Sequence, residues 1–268
     1  MKKRIIVIHT NDYPVSVETK ELLTKKLQAS GFVVSETFNS EAELIISIGG
    51  DGATLDTVHE FDFPKIPIVG INTGHLGFFQ EIDTDKLDDF IFNFNNGSYS
   101  IQNLAAVKAE VSTCNGEKYY HAGINEIVIR GTQSYSSHLN ISIGDSFIER
   151  FSGDGIIISS PAGSTAYNYS VGGSIVDPRL KLLQVTPIAP MNTTAYRSFT
   201  SSILLPINMT LGVTPEKLYD DETCVIFDGL EAKYKNIKEI RIGYEDDCIN
   251  LVRFETYDFW NKVKGKFL

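Results

Sequence analysis

Cysteine is scarce in this sequence and badly placed for joint work. Cys114, Cys224 and Cys248 form no C-x-x-C pair and are odd in number. They indicate neither a zinc site nor a disulfide framework, and they fit a reducing compartment. Basic residues are in deficit, with 24 Lys and Arg against 34 Asp and Glu and a formal net charge of −10. A nucleic-acid surface needs a dense basic footprint, and stable docking on an anionic membrane needs positive charge too. Neither partner is expected. No run approaches the ~18 apolar residues of a membrane span. The apolar start breaks at His9-Thr10-Asn11-Asp12, too early for a signal peptide, so a cytoplasmic location is expected. His9, His59, His75, His121 and His138 show no metal spacing. No G-x-G-x-x-G follows the first strand, which disfavours a standard dinucleotide oxidoreductase. A G-x-x-x-x-G-K-[ST] loop and a G-x-S-x-G elbow are also missing.

What remains is an ordinary globular composition, 42% apolar and 22% charged over 268 residues, sufficient for one or two domains. The first hundred residues alternate strand and helix signals. Strands are expected at Arg4–Ile8, Phe32–Ser35, Ala42–Ile48 and Ile66–Ile71. Helices are expected at Ser16–Ser30 with Gly31 as C-terminal cap, at Ala53–Phe61, and at Asp83–Asn96. In the last, Leu87, Phe90, Ile91 and Phe94 share a face, Asp83 caps the start and Gly97 the end. Such alternation predicts a mainly parallel sheet covered on both faces. From about Tyr99 to Phe254 the pattern turns β-rich, with examples at Ala122–Arg130, His138–Ile143, Gly155–Ser159, Ser202–Leu205, Thr223–Phe227 and Glu239–Tyr244. One helix is expected to begin near Ser164. The aromatic, lysine-rich tail Thr256–Leu268 should pack on something.

Two glycine-rich segments carry the chemistry. Gly49-Gly50-Asp51-Gly52 follows an apolar strand and precedes a helix, the position at which open α/β sheets bind ligands. Asp51 could orient a hydroxyl or a metal-bound phosphate there, or simply cap the helix. Gly153-Asp154-Gly155 opens a second strand that runs into Pro161-Ala162-Gly163-Ser164-Thr165-Ala166-Tyr167. Hydroxyl and backbone groups at a helix start suit ribose or phosphate, and a ring suits a base. Two such elements about a hundred residues apart suggest a nucleotide held between two parts of the protein. Asn125-Glu126, a polar pair in an otherwise apolar strand, needs partners; an amide and a carboxylate together can grip ribose hydroxyls or an adenine edge. Phe78 and Phe79, after Gly74-His75-Leu76-Gly77, could wall a base pocket or belong to the core.

Together these segments resemble the NAD kinase family. The matching residues are Gly49-Gly50-Asp51-Gly52, Asn72-Thr73-Gly74-His75-Leu76-Gly77-Phe78, Asn125-Glu126, Gly153-Asp154-Gly155, Pro161 to Tyr167, and Gly172-Gly173. A weaker match extends through Tyr196-Arg197 to Asp228-Gly229. G-G-D-G alone is shared with diacylglycerol-type lipid kinases and phosphofructokinases. The sequence departs from the common pattern at Ala53, Ala162 and Leu230, where the family often has threonine, threonine and glutamine. Two lost hydroxyls near the presumed phosphates bear on the choice of donor.

The resemblance implies an N-terminal α/β, Rossmann-like domain (1–100 with 255–268, nucleotide-binding) and a C-terminal β-sandwich-like domain (101–254, NAD-binding). The last segment returns to the first domain. It implies transfer of a phosphoryl group from ATP, or from polyphosphate, to the adenosine-ribose 2′-hydroxyl of NAD, with Mg²⁺ accompanying ATP. Asp51 would be the catalytic residue, and Gly49 and Gly50 would form the phosphate-donor loop. Gly52, Phe78, Asn125, Glu126, Thr165, Ala166, Tyr167 and Ser170 would bind substrate; Asp154 and Ala189 would contact the nicotinamide half. A homodimer or homotetramer is implied. The alternatives are a lipid kinase of the diacylglycerol-kinase type, against which the net charge of −10 weighs, and a non-catalytic NAD(H)-binding sensor.

Overall fold

The chain forms two compact units, Met1–Leu104 with Asp247–Leu268, and Ala105–Asp246. The computed structural model describes residues 3–132, 136–144, 146–194, 196–216 and 222–267. Two long strands, Ser100–Thr113 and Ile237–Arg253, run through the divisions in the chain.

In the first unit, parallel strands lie in the order Ile68–Asn72, Leu44–Gly49, Ile5–Thr10, Val33–Ser35. Gln80–Asp83 and the end of Ile237–Arg253 also pair in parallel with Ile68–Asn72. Leu44–Gly49 is buried along its whole length, as a strand covered on both faces must be. On one face Ile6, Ile8, Ile46 and Ile48 pack under Leu23 and Leu27 of helix Pro14–Ala29 and Phe90, Ile91 and Phe94 of helix Leu87–Asn95. On the other, the Thr57 hydroxyl of helix Asp51–Glu60 bonds Ser47 at 3.0 Å.

Several boundaries differ from the sequence reading. The first helix starts at Pro14 rather than Ser16, because proline loses nothing at a first helical position. Asp83 caps no helix with its side chain; a 3₁₀ turn at Thr84–Lys86 intervenes before Leu87. Gly31 and Gly97 take positive φ (88° and 69°) beyond their helices, the conformation a helix-ending glycine supplies.

The second unit stacks two sheets. One is antiparallel, in the order Ile203–Pro206, Leu182–Ile188, Gly155–Ser159, Glu126–Gly131, Thr223–Phe227, Leu230–Tyr234. The other contains Ser146–Gly153, Ser137–Ile143, Leu211–Pro215 and the first part of Ile237–Arg253, with Ser100–Thr113 and Lys118–Gly123. Alternating side chains of both meet in one core, among them Ile127, Ile129, Ile156 and Ile158 from the first and Leu139, Ile141, Val213 and Ile240 from the second. The helix expected from Ser164 is a 3₁₀ turn, Ala162–Thr165, and a single α-turn, Tyr167–Ser170. Gly172 at φ 90° ends it, and Gly173 packs directly on the Asn168 amide.

Within the first unit, Arg253 ends its strand buried, at 5% exposure. Its guanidinium donates to Glu81 Oε2 at 3.0 Å, Gln102 Oε1 at 2.7 Å, and the carbonyls of Phe78 and Phe79 at 3.2 and 3.4 Å. Its charge lies 3.8 Å from the centre of the Tyr257 ring. Leaving Glu81 buried without this partner costs about 3–5 kcal/mol. Arg253→Met should lose that much in urea unfolding. The double variant Arg253→Met/Glu81→Met should cost less than the two single losses added; full additivity would show that the pair is not coupled.

Candidate active site

Gly50 stands at the entrance of helix Asp51–Glu60 in extended conformation, and Asp51 is the first helical residue. Gly50, as the residue before the helix, has no side chain with which to cap it. The Asp51 carboxylate turns to the segment after Ile68–Asn72. It accepts the Phe78 N–H at 2.9 and 3.0 Å on its two oxygens and the Phe79 N–H at 2.9 Å on Oδ1. Gly77 makes this approach feasible: a Cβ there would lie 2.5 Å from Asp51 Oδ1 and 2.2 Å from Gln80 Oε1. Gln80 in turn donates to the Thr54 hydroxyl at 3.1 Å. The Phe78 ring is buried at 7% exposure, between Phe259 (5.7 Å between centroids) and Phe267 (5.9 Å, stacked) of helix Phe259–Phe267. Phe78 therefore offers Asp51 its backbone, while its ring belongs to the packing of the unit. Gly49 is buried, Gly50 half-buried and Gly52 exposed.

Lysine reaches the same carboxylate. Lys266 Nζ lies 3.5 Å from Asp51 Oδ2 and 5.0 Å from the centre of the Phe78 ring. One turn earlier, Lys262 donates to the Gln80 carbonyl. Burial, and then the neighbouring Arg253 charge, push the Lys262 ammonium down to about 8. A quarter of the Asp51 side chain stays open to solvent.

The second unit builds a matching cradle around Asn125-Glu126. Asp228, at φ 49° in the turn after Thr223–Phe227, accepts three successive N–H groups: Ile124 at 2.7 Å, Asn125 at 2.7 Å and Glu126 at 3.3 Å. These residues are consequently a tight turn leading into strand Glu126–Gly131, and Asn125 lies just before the strand rather than inside it. The Asn125 carbonyl accepts from the Ser160 N–H at 2.9 Å and the Ser159 hydroxyl at 3.3 Å. Gly163 sits so close that its Cβ would fall 2.0 Å from the Asn125 carbonyl oxygen. The two motifs thus pack as one piece.

Glu126 is 7% exposed, and its Oε2 has no partner among the described residues. Burial, reinforced by the Asp228 charge, pushes its carboxyl up to about 8. The structure also brings Thr165 (buried), Ala166 (half-buried), Tyr167 and Ser170 (both exposed) into the short helical stretch beside Gly163. Asp154 and Ala189 are exposed and adjoin: the Asp154 N–H donates to Ile188 at 2.9 Å, and Ala189 takes φ 43°.

Arg253, Lys262 and Lys266, and the hold of Asp228 on the Asn125 turn, lie outside the residues expected from sequence. Arg253 carried a legible signal, a lone charge in the apolar run Cys248–Phe254. The lysines carried none, since lysine is common in any exposed tail.

Residues 1–99 match the family model of the ATP-NAD kinase N-terminal domain, and residues 124–246 that of the ATP-NAD kinase C-terminal domain. An NAD kinase of Finegoldia magna is 40% identical over 268 residues, covering 99% of this chain and 98% of its own. One from Lactobacillus johnsonii is 32% identical over 260 residues, 96% of this chain and 95% of its own. Among solved structures, yeast NADH kinase complexed with NADH superposes with a TM-score of 0.85 at 19% identity, over 98% of this chain and 86% of that one. An Archaeoglobus fulgidus NAD kinase in complex with ATP gives 0.74 at 21% identity, over 98% of both chains. At these identities the two structures show the shared fold. The two domain models and the full-length relatives settle the affiliation: the chain belongs to the NAD kinase family.

Proposed function

We propose that this kinase makes NADP by moving the γ-phosphoryl group of ATP to the adenosine-ribose 2′-hydroxyl of NAD. A bond forms between the 2′-oxygen and the γ-phosphorus, the bond to the β,γ-bridging oxygen breaks, and ADP leaves. The hydroxyl proton passes to Asp51. The observation that carries this reading is the Asp51 carboxylate, held by two backbone N–H groups with a quarter of its side chain still open to solvent. A base fixed before the reaction needs no reorganisation when the hydroxyl arrives. Gly49 and Gly50, leading into a ten-residue helix, are read as the donor-phosphate loop, because N–H groups at a helix start favour anions.

Asn125, Glu126, Thr165, Ala166, Tyr167 and Ser170 are read as the adenosine-binding set, Asp154 and Ala189 as the nicotinamide contacts. A nucleotide hydroxyl would satisfy the unpartnered Glu126 oxygen. No cluster of three or more potential metal ligands occurs among the described residues. Mg²⁺ enters this reading as the companion of ATP, where it would offset the charge of the donor phosphates. A cytoplasmic homodimer or homotetramer completes the reading. No helix among the described residues is long and apolar enough to cross a membrane.

The test is NADP⁺ formation from NAD⁺, ATP and Mg²⁺, read through an NADP-specific dehydrogenase, with polyphosphate and NADH tried as alternative substrates. Asp51→Asn should lower turnover at least ~10²-fold, with the thermal midpoint read beside it because Asn keeps only one acceptor for the Phe78 and Phe79 N–H groups. Near-normal turnover would remove Asp51 from catalysis. Binding of NAD with no turnover from any donor would favour the sensor alternative.

Glu126 makes a second prediction. Its folded value near 8 lies above the ordinary 4.5, so the folded protein keeps a proton that the unfolded chain releases. Its contribution to stability therefore falls as pH rises between those two values. Glu126→Gln should flatten the loss of thermal midpoint between pH 5 and 8 relative to wild type. Parallel curves would show that Glu126 is not the group responsible.

A further inference from the structure

Helix Phe259–Phe267 ends with two lysines, Lys264 and Lys266. Either would favour the negative end of the helix dipole, so that role does not distinguish them. Position does. Lys264 is exposed, whereas Lys266 lies 3.5 Å from Asp51 Oδ2 and over the Phe78 ring. Phe259 at its start and Phe267 at its end hold the helix against Phe78, and Lys262 between them fastens it to the Gln80 carbonyl. The ammonium is therefore delivered to Asp51 by a packed element, while its side chain remains 36% exposed and free to turn on its flexible stem.

Resting on the reaction proposed above, we infer that Lys266 is a further catalytic residue, which contacts the γ-phosphoryl group during transfer. A hydroxyl bonded to Asp51 lies about 2.7 Å from the carboxylate, and the attacked phosphorus about 3–3.5 Å beyond the hydroxyl oxygen. The equatorial phosphoryl oxygens then fall within reach of an ammonium already 3.5 Å from the same carboxylate. Asp51 alone would repel the incoming phosphate. Lys266 offsets that charge before the donor binds and stabilises the spread negative charge of the loose transition state. The new 2′-oxygen–phosphorus bond and the departing ADP are unchanged by this assignment, since Lys266 exchanges no proton.

The experiment compares wild type, Lys266→Met, Lys266→Arg and the control Lys264→Met. It measures kcat, the KM for NAD, equilibrium binding of MgATP and MgADP, and thermal midpoints. Lys266→Met should lower kcat about 10–10²-fold and weaken MgATP at least ~5-fold. MgADP, which lacks the γ-phosphate, and the KM for NAD should move less than twofold. Lys266→Arg should recover most of the loss, and Lys264→Met should match wild type. A Lys266→Met enzyme with kcat within twofold of wild type overturns the assignment. So does an equal weakening of MgATP and MgADP, which would mark a general structural effect. A wild type that binds MgATP in this Lys266-dependent way yet makes no NADP would overturn the acceptor in the reaction above and leave the γ-phosphate contact standing.

Discussion

The peptide groups at Phe78 and Phe79 are held from two sides, and the candidate chemistry depends on that double grip. Their carbonyls accept from the buried Arg253 guanidinium, and their N–H groups donate to Asp51. A carboxylate at a helix start would ordinarily bond its own helix. Here it is aimed at a segment that lies outside regular structure, and such a segment can aim a side chain only if it is itself immobilised. Arg253 supplies that rigidity because it is buried, planar and bonded to four acceptors, among them Glu81 and Gln102. Glu81 closes the frame by accepting the Phe254 N–H at 3.0 Å.

The second unit solves a similar problem with the charge reversed. Asp228 gathers three consecutive N–H groups at the Ile124–Glu126 turn, and Ser159, Ser160 and Gly163 settle on the Asn125 carbonyl. In both units an ionic side chain holds irregular backbone, and the backbone positions a carboxylate. The polar groups with unusual titration follow from this economy: Lys262 and Glu126 are pushed toward neutrality by burial first, then by like charge.

Legibility in the sequence tracked how local each cause was. Gly49-Gly50-Asp51-Gly52 and Gly153-Asp154-Gly155 stood out because each sets an acid between glycines next to an apolar run. The parallel sheet was readable from alternating strand and helix periods. Strand Gln80–Asp83 was not, because Gln-Glu-Ile-Asp has poor strand composition and is recruited by pairing with Ile68–Asn72. The strand expected at Glu239–Tyr244 extends over Ile237–Arg253 for a similar reason, its later residues including the polar run Glu245-Asp246-Asp247. The helix from Ser164 fell short because Asn168 bonds Ser164 and Thr186 while Gly173 crowds its amide. Arg253, Lys262 and Lys266 act on partners more than 170 positions away in the chain, and no window along the sequence contains both ends of such a contact.

In the proposed adenosine-binding role of Glu126, its Oε2, unpartnered among the described residues, bears on selectivity. A buried polar atom without a partner acts as a filter set by absence. A guest that brings a hydrogen-bonding group to it relieves a standing penalty, whereas an apolar guest of the same shape leaves the penalty in place. Under that proposal discrimination would rest on the hydrogen bond the guest brings, and sites built that way separate analogues differing by one hydroxyl far better than a hydrophobic pocket can.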